Sequence, residues 1–61
     1  MKSRLLIVDD CEMERRIFSL FFEARGFEVQ TASGPAEALE MVHRHKPDFV
    51  LLDLVMPEMD G

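Results

Sequence analysis

The chain has a single cysteine, Cys11, so no intrachain disulfide can brace it. A lone thiol is compatible with a reducing compartment. Basic residues are scarce: seven lysines and arginines stand against twelve aspartates and glutamates, a formal net charge of −5. That balance argues against direct nucleic-acid binding, which needs a basic face. No apolar run approaches the ~20 residues needed to cross a bilayer. Met1-Lys2-Ser3-Arg4 leads into no signal-peptide core of useful length. These gaps together predict a cytoplasmic chain with no membrane contact. Repeats, low-complexity tracts and linkers are also lacking, so the 61 residues form one unit at most. A unit of that size buries a modest fraction of its surface and usually leans on a disulfide, a metal or a partner chain.

Apolar residues make up 48% of the chain, enough for a globular core. Leu5 to Val8 is a short, continuous apolar run, as expected of a strand covered on both faces. Met13, Ile17, Leu20, Phe21 and Ala24 recur at helical spacing and predict a first helix with that stripe turned inward. Gly26 supplies its stop. Phe27 to Gln30 alternates apolar and polar, the pattern of a half-exposed edge strand. Ser33-Gly34-Pro35 opens a second helix, with Ala38, Leu39 and Val42 as its inner face. His43, Arg44, His45 and Lys46 crowd its last turn, where cations suit the helix dipole, and Pro47 ends it. Phe49 to Leu52 is the second fully apolar strand. The order is β-α-β-α-β, which implies a parallel sheet built by crossover connections, with the strands arranged second, first, third.

In an open parallel sheet the ligand site lies beyond the carboxyl ends of the strands. Asp9 and Asp10 follow the first apolar strand, and Asp53 follows the third. An apolar run that ends in an aspartate therefore reads as a rigid support beneath a rim of carboxylates. Three carboxylates close together repel one another. A divalent cation that prefers oxygen ligands removes the repulsion, and Mg2+ fits best. The plainer alternatives stay open: Asp10 could cap the first helix, and Asp48 reads as a turn former. His43 and His45 are two apart and do not face each other on a helix, so they read as solvent-facing. Cys11, beside the acidic pair, is a poor nucleophile candidate.

The stretch "LLIVDD", with an aspartate 43 residues after Asp10 in "FVLLDLVMPEMDG", resembles a response-regulator receiver domain. The middle stretch "GFEVQTASGPAEALEMV" resembles that family's second strand and second helix. The resemblance runs from about Arg4 to Gly61. It implies a flavodoxin-like doubly wound parallel sheet, here cut to β-α-β-α-β with strand order 2-1-3. Residues 1–61 would be the amino-terminal part of a single receiver domain, ending in the loop after the third strand. By the same resemblance Asp53 would be the phosphoacceptor, and a histidine kinase or phosphotransfer protein would be the donor. Asp10, Asp53 and the backbone carbonyl of Val55 would ligate Mg2+, and Asp9 would hold it through water. Pro57 and Gly61 would shape the loop after Asp53. The chain would be a signalling domain in two-component phosphorelay rather than an enzyme in its own right.

The resemblance also exposes departures. A complete receiver is about twice as long, and its fourth-strand hydroxyl and fifth-strand lysine are not among these residues. Lys46 lies at the far end of the third strand, so it is no substitute. The outer edge of the Phe49–Leu52 strand is then without a fourth strand, and an apolar edge is a template for pairing with another chain. A self-associating interaction fragment is therefore the alternative reading, through that edge or through Phe18 and Phe22. The plain reading of those two phenylalanines is packing against the sheet.

Overall fold

Leu5, Leu6, Ile7 and Val8 form the inside of the molecule, and the remaining elements are arranged around them. In the computed structural model the described residues are 2–52. They form β1 (Arg4–Val8), α1 (Glu12–Ala24), β2 (Glu28–Ala32), α2 (Pro35–His45) and β3 (Phe49–Leu52). The sheet order is β2-β1-β3 with both pairings parallel. This is the expected doubly wound arrangement. The sequence expectation for the second strand is one residue early at its start and two short at its end, because the ladder runs on through Thr31 and Ala32.

Side chains of successive strand residues alternate between faces. Leu6 and Val8 join Ala32 in one buried cluster, with Ala38 and Met41 of α2 packed against it. Helix α1 packs over β1 and β2. Both faces of β1 are thus covered, which is why its sequence is uniformly apolar. Only β1 is interior among the described residues. β3 is an edge, with Phe49, Val50 and Leu52 exposed.

The faces expected to be inward are largely open rather than buried. In α1, Met13, Ile17, Leu20 and Phe21 are exposed, Met13 to 68%. Phe18 and Phe22 are the half-buried aromatic residues instead. Phe22 meets Phe27 edge-on at 5.7 Å between ring centroids, and Phe27 meets Phe49 in the same way at 6.3 Å. The packing reading of Phe22 therefore holds. In α2, Leu39 is 69% exposed and Val42 is 38% exposed, both lining an open apolar groove with Ala38, Val8 and Leu52, while Met41 packs with Ala38 against the buried cluster.

The ends of the helices are locally determined. The N–H of Gly26 donates to the carbonyl of Glu23, and that of Phe27 to the carbonyl of Phe22. This is a Schellman closure, completed by the Phe22–Phe27 contact. Gly26 has φ of +97°, a backbone conformation in which a side chain is strained. Pro35 opens α2 at its first turn, and Lys46 closes it in the left-handed region at φ of 47°.

The amino end of the sheet is tied by Arg4. Its N–H donates to Asp48 Oδ2 at 2.8 Å, and its carbonyl accepts from the Asp48 N–H at 2.9 Å. Its guanidinium donates to the His45 carbonyl at 2.6 Å and lies 3.8 Å from Glu28 Oε1. Asp48 is more than a turn former: it fixes the start of β3 against the start of β1.

Candidate functional site

The site begins where β1 stops. Asp9 continues the ladder by one residue, its N–H donating to the Ala32 carbonyl at 3.1 Å. It is fully buried. Its Oδ1 accepts the Cys11 N–H at 2.9 Å, a local turn closed by a carboxylate rather than by backbone. Its carbonyl accepts from Arg15 Nη1 at 2.8 Å. Asp10 lies in the bend that follows and is exposed. One aspartate is thus buried at the end of the strand and the next is exposed in the bend after it.

Capping of α1 falls to Cys11, in extended conformation and with no side-chain cap bond. The alternative in which Asp10 is the cap residue gives way to this arrangement. Glu12 and Glu14 occupy the first turn, where negative charge suits the helix dipole. The thiol of Cys11 is exposed. His43 is exposed and His45 half-buried, its carbonyl held by Arg4, so only the first histidine is solvent-facing as expected.

Asp53, Val55, Pro57 and Gly61 lie outside the described residues. The last described residue of β3, Leu52, stands opposite Val8, the last residue of β1. In sequence, Asp9-Asp10 follows the one and Asp53 the other. Among the described residues alone, no three histidine, cysteine, aspartate or glutamate side chains gather as a metal site. The expected trio draws its third carboxylate from Asp53.

Two features escape a sequence reading. One is Arg15, four residues into α1, which reaches back to the Asp9 carbonyl. The other is Glu37, whose Oε1 accepts both the N–H and the hydroxyl of Ser33, at 3.0 and 2.9 Å. The Glu37 carboxyl is held below its ordinary value, first by the Ser33 N–H, then by the Ser33 hydroxyl, with the Arg15 charge adding to them. The signal for this second feature was a serine two residues before Pro35 and a glutamate in the first helical turn.

An apolar groove of about 430 Å³ runs between α1 and β3, lined by Ile17, Phe18, Phe21, Phe22, Leu51 and Leu52. The two self-association surfaces expected from the sequence, the β3 edge and the Phe18–Phe22 face, thus meet in one groove. No helix among the described residues is long and apolar enough to cross a membrane.

A parallel β2-β1-β3 sheet with paired aspartates after its central strand is the doubly wound α/β arrangement, a class in which ligands bind beyond the carboxyl ends of the strands. Residues 5–61 match the response regulator receiver domain family, and the chain belongs to it. It is a signalling domain of the two-component type. The transcriptional regulatory protein SrrA of Staphylococcus aureus is similar: the proteins of strains NCTC 8325 / PS 47, COL and MRSA252 are each 41% identical over 61 residues. That similarity covers 100% of this chain and 25% of each relative, so the chain spans about a quarter of their length.

Proposed function

We propose that residues 1–61 are the amino-terminal part of one receiver domain in which Asp53 accepts a phosphoryl group. The donor is a phosphohistidine on a histidine kinase or a phosphotransfer protein, in the cytoplasm. The observation that carries this reading is the register of β1 with β3: Val8 faces Leu52, and each is followed in sequence by its aspartates. In the transfer a carboxylate oxygen of Asp53 forms the new bond to phosphorus. The phosphorus–nitrogen bond of the donor breaks, and its electron pair stays on the imidazole. The carboxylate needs an in-line approach and neutralisation of the phosphoryl oxygens.

The donor set suits Mg2+, being all oxygen and carrying several negative charges. Asp10, Asp53 and the Val55 carbonyl would hold the ion directly, and Asp9 through water. Bound there, Mg2+ would supply the positive charge that neutralises the phosphoryl oxygens. The buried Asp9, fixed by the Cys11 N–H, gives Asp10 a rigid base. Pro57 and Gly61 shape the loop after Asp53.

Titrating Mg2+ during thermal unfolding tests the site. An ion that binds only the folded chain stabilises it by mass action, by roughly 2.7 kcal/mol at a hundredfold excess over its dissociation constant. The unfolding temperature is expected to rise with Mg2+ in the native sequence and to stay fixed in Asp53→Ala. No rise at millimolar Mg2+, or an equal rise in the variant, counts against the site.

A second reading is self-association through the outer edge of β3. It is favoured by the exposure of Phe49, Val50 and Leu52, with no strand among the described residues on that side. Parallel or antiparallel addition of a second copy would extend the sheet and fill the groove beside α1. Sedimentation of the 61-residue chain at micromolar concentration is expected to give twice the mass of one chain. A cooperatively folded monomer would sink this reading and leave the phosphoacceptor reading intact.

A further inference from the structure

Arg15 is a cation beside a peptide that two acidic residues share. It lies near the amino end of α1, where a positive side chain meets an unfavourable helix dipole. Its guanidinium turns back and donates to the Asp9 carbonyl at 2.8 Å. That carbonyl belongs to a fully buried residue, and the bond to it is charge-assisted and partly buried. The carbonyl of Asp9 and the N–H of Asp10 are in one peptide unit, which is planar and stiff. Fixing the carbonyl therefore fixes the direction in which the Asp10 backbone leaves the strand.

We propose that Arg15 is a positioning residue for the acidic pocket: it orients Asp10 for a divalent cation by gripping the Asp9–Asp10 peptide. The inference rests on the Mg2+ reading above. Arg15 touches neither the ion nor the phosphoryl group; it acts through the backbone that carries a ligand. Two physical effects of its removal have opposite signs. If Arg15 were only a positive charge near the site, losing it would strengthen cation binding. If it positions Asp10, losing it weakens binding, and loss of a group that orients a ligand commonly costs tenfold or more.

The test is an amide NMR titration with Mg2+ on the 61-residue chain, with folding checked by circular dichroism. Arg15→Ala is expected to raise the Mg2+ dissociation constant about tenfold, and to speed hydrogen exchange at the Cys11 amide even without metal. Arg15→Lys, which keeps a cationic donor, is expected to recover most of the affinity. Arg16→Ala removes an exposed neighbouring charge from the same helix and is expected not to weaken binding. Unchanged or tighter binding in a folded Arg15→Ala, or equal weakening in Arg16→Ala, overturns the role of Arg15 while leaving the metal site standing. A native chain that never titrates overturns the Mg2+ reading, and Arg15 as a positioning residue falls with it.

Discussion

Given acetyl phosphate and Mg2+, Asp53→Asn is expected to accept no phosphoryl group, while the native sequence accepts one. Asparagine keeps the size and shape of the side chain. Its amide lacks the charge that makes a carboxylate oxygen a nucleophile, so the chemical step is lost rather than slowed. The fold is expected to survive, because the buried interior is built from Leu5 to Val8 and Ala32. Unchanged circular dichroism in the variant is therefore part of the expected result. The rate is a separate matter. Developing charge on the phosphoryl oxygens must be met by fixed cationic or hydrogen-bonding groups, and losing one such group commonly costs 10² or more. The native sequence is accordingly expected to label slowly as 61 residues, and faster when extended by the carboxyl-terminal half of a receiver. Mass spectrometry of the intact and digested protein reads both the amount and the position of the label. Labelling that persists in Asp53→Asn, or that maps to Asp9 or Asp10, would show the acceptor to be misassigned.

Leu6→Ala is expected to abolish cooperative unfolding, whereas Leu39→Ala leaves the transition nearly where it was. Leu6 has no exposed surface and sits in the cluster with Val8 and Ala32, under Ala38 and Met41. Truncating a buried leucine costs about 2–5 kcal/mol. A core of this size supplies rarely more than about 3–5 kcal/mol in total. The substitution therefore removes most of the margin. Leu39 is 69% exposed, and exposed positions usually change stability by less than about 0.5 kcal/mol. Urea unfolding followed by far-ultraviolet circular dichroism separates the two. A large loss at Leu39 with a small one at Leu6 would mean that the face of α2 turned to the sheet is the one read from the sequence.

That comparison marks where the sequence was legible. The strands were legible because burial on both faces leaves a mark in every residue, as in Leu5 to Val8. The sheet order followed from which run alternates. The acidic pair stood out because charge ending an apolar strand has few structural explanations. The phase of the helices was less legible. Ala38 with Met41 and Leu39 with Val42 are the same three-residue spacing displaced by one position, and periodicity alone does not say which faces in. The apolar residues of α1 wrap much of its surface, so Phe18 and Phe22 looked peripheral although they are the half-buried pair. Arg15 was illegible for another reason. Its partner is a backbone carbonyl, which has no residue type, and a charge on a helix normally reads as solvated. The Arg4–Asp48 tie spans 44 residues and is equally invisible until the strands are aligned.

Arg4 has a consequence for how such a domain can change. A slip of one residue between parallel strands would turn every side chain to the wrong face. Here alignment is set at the end of the sheet remote from the carboxylates, by bonds from Arg4 to Asp48 and His45. With the proposed phosphoacceptor at the other end, the two ends divide the labour, one holding alignment and the other chemistry. Substitutions around the acidic turn can alter what it binds without shifting the strands beneath it. A lineage can retune its inputs at one rim while inheriting the same frame from the other.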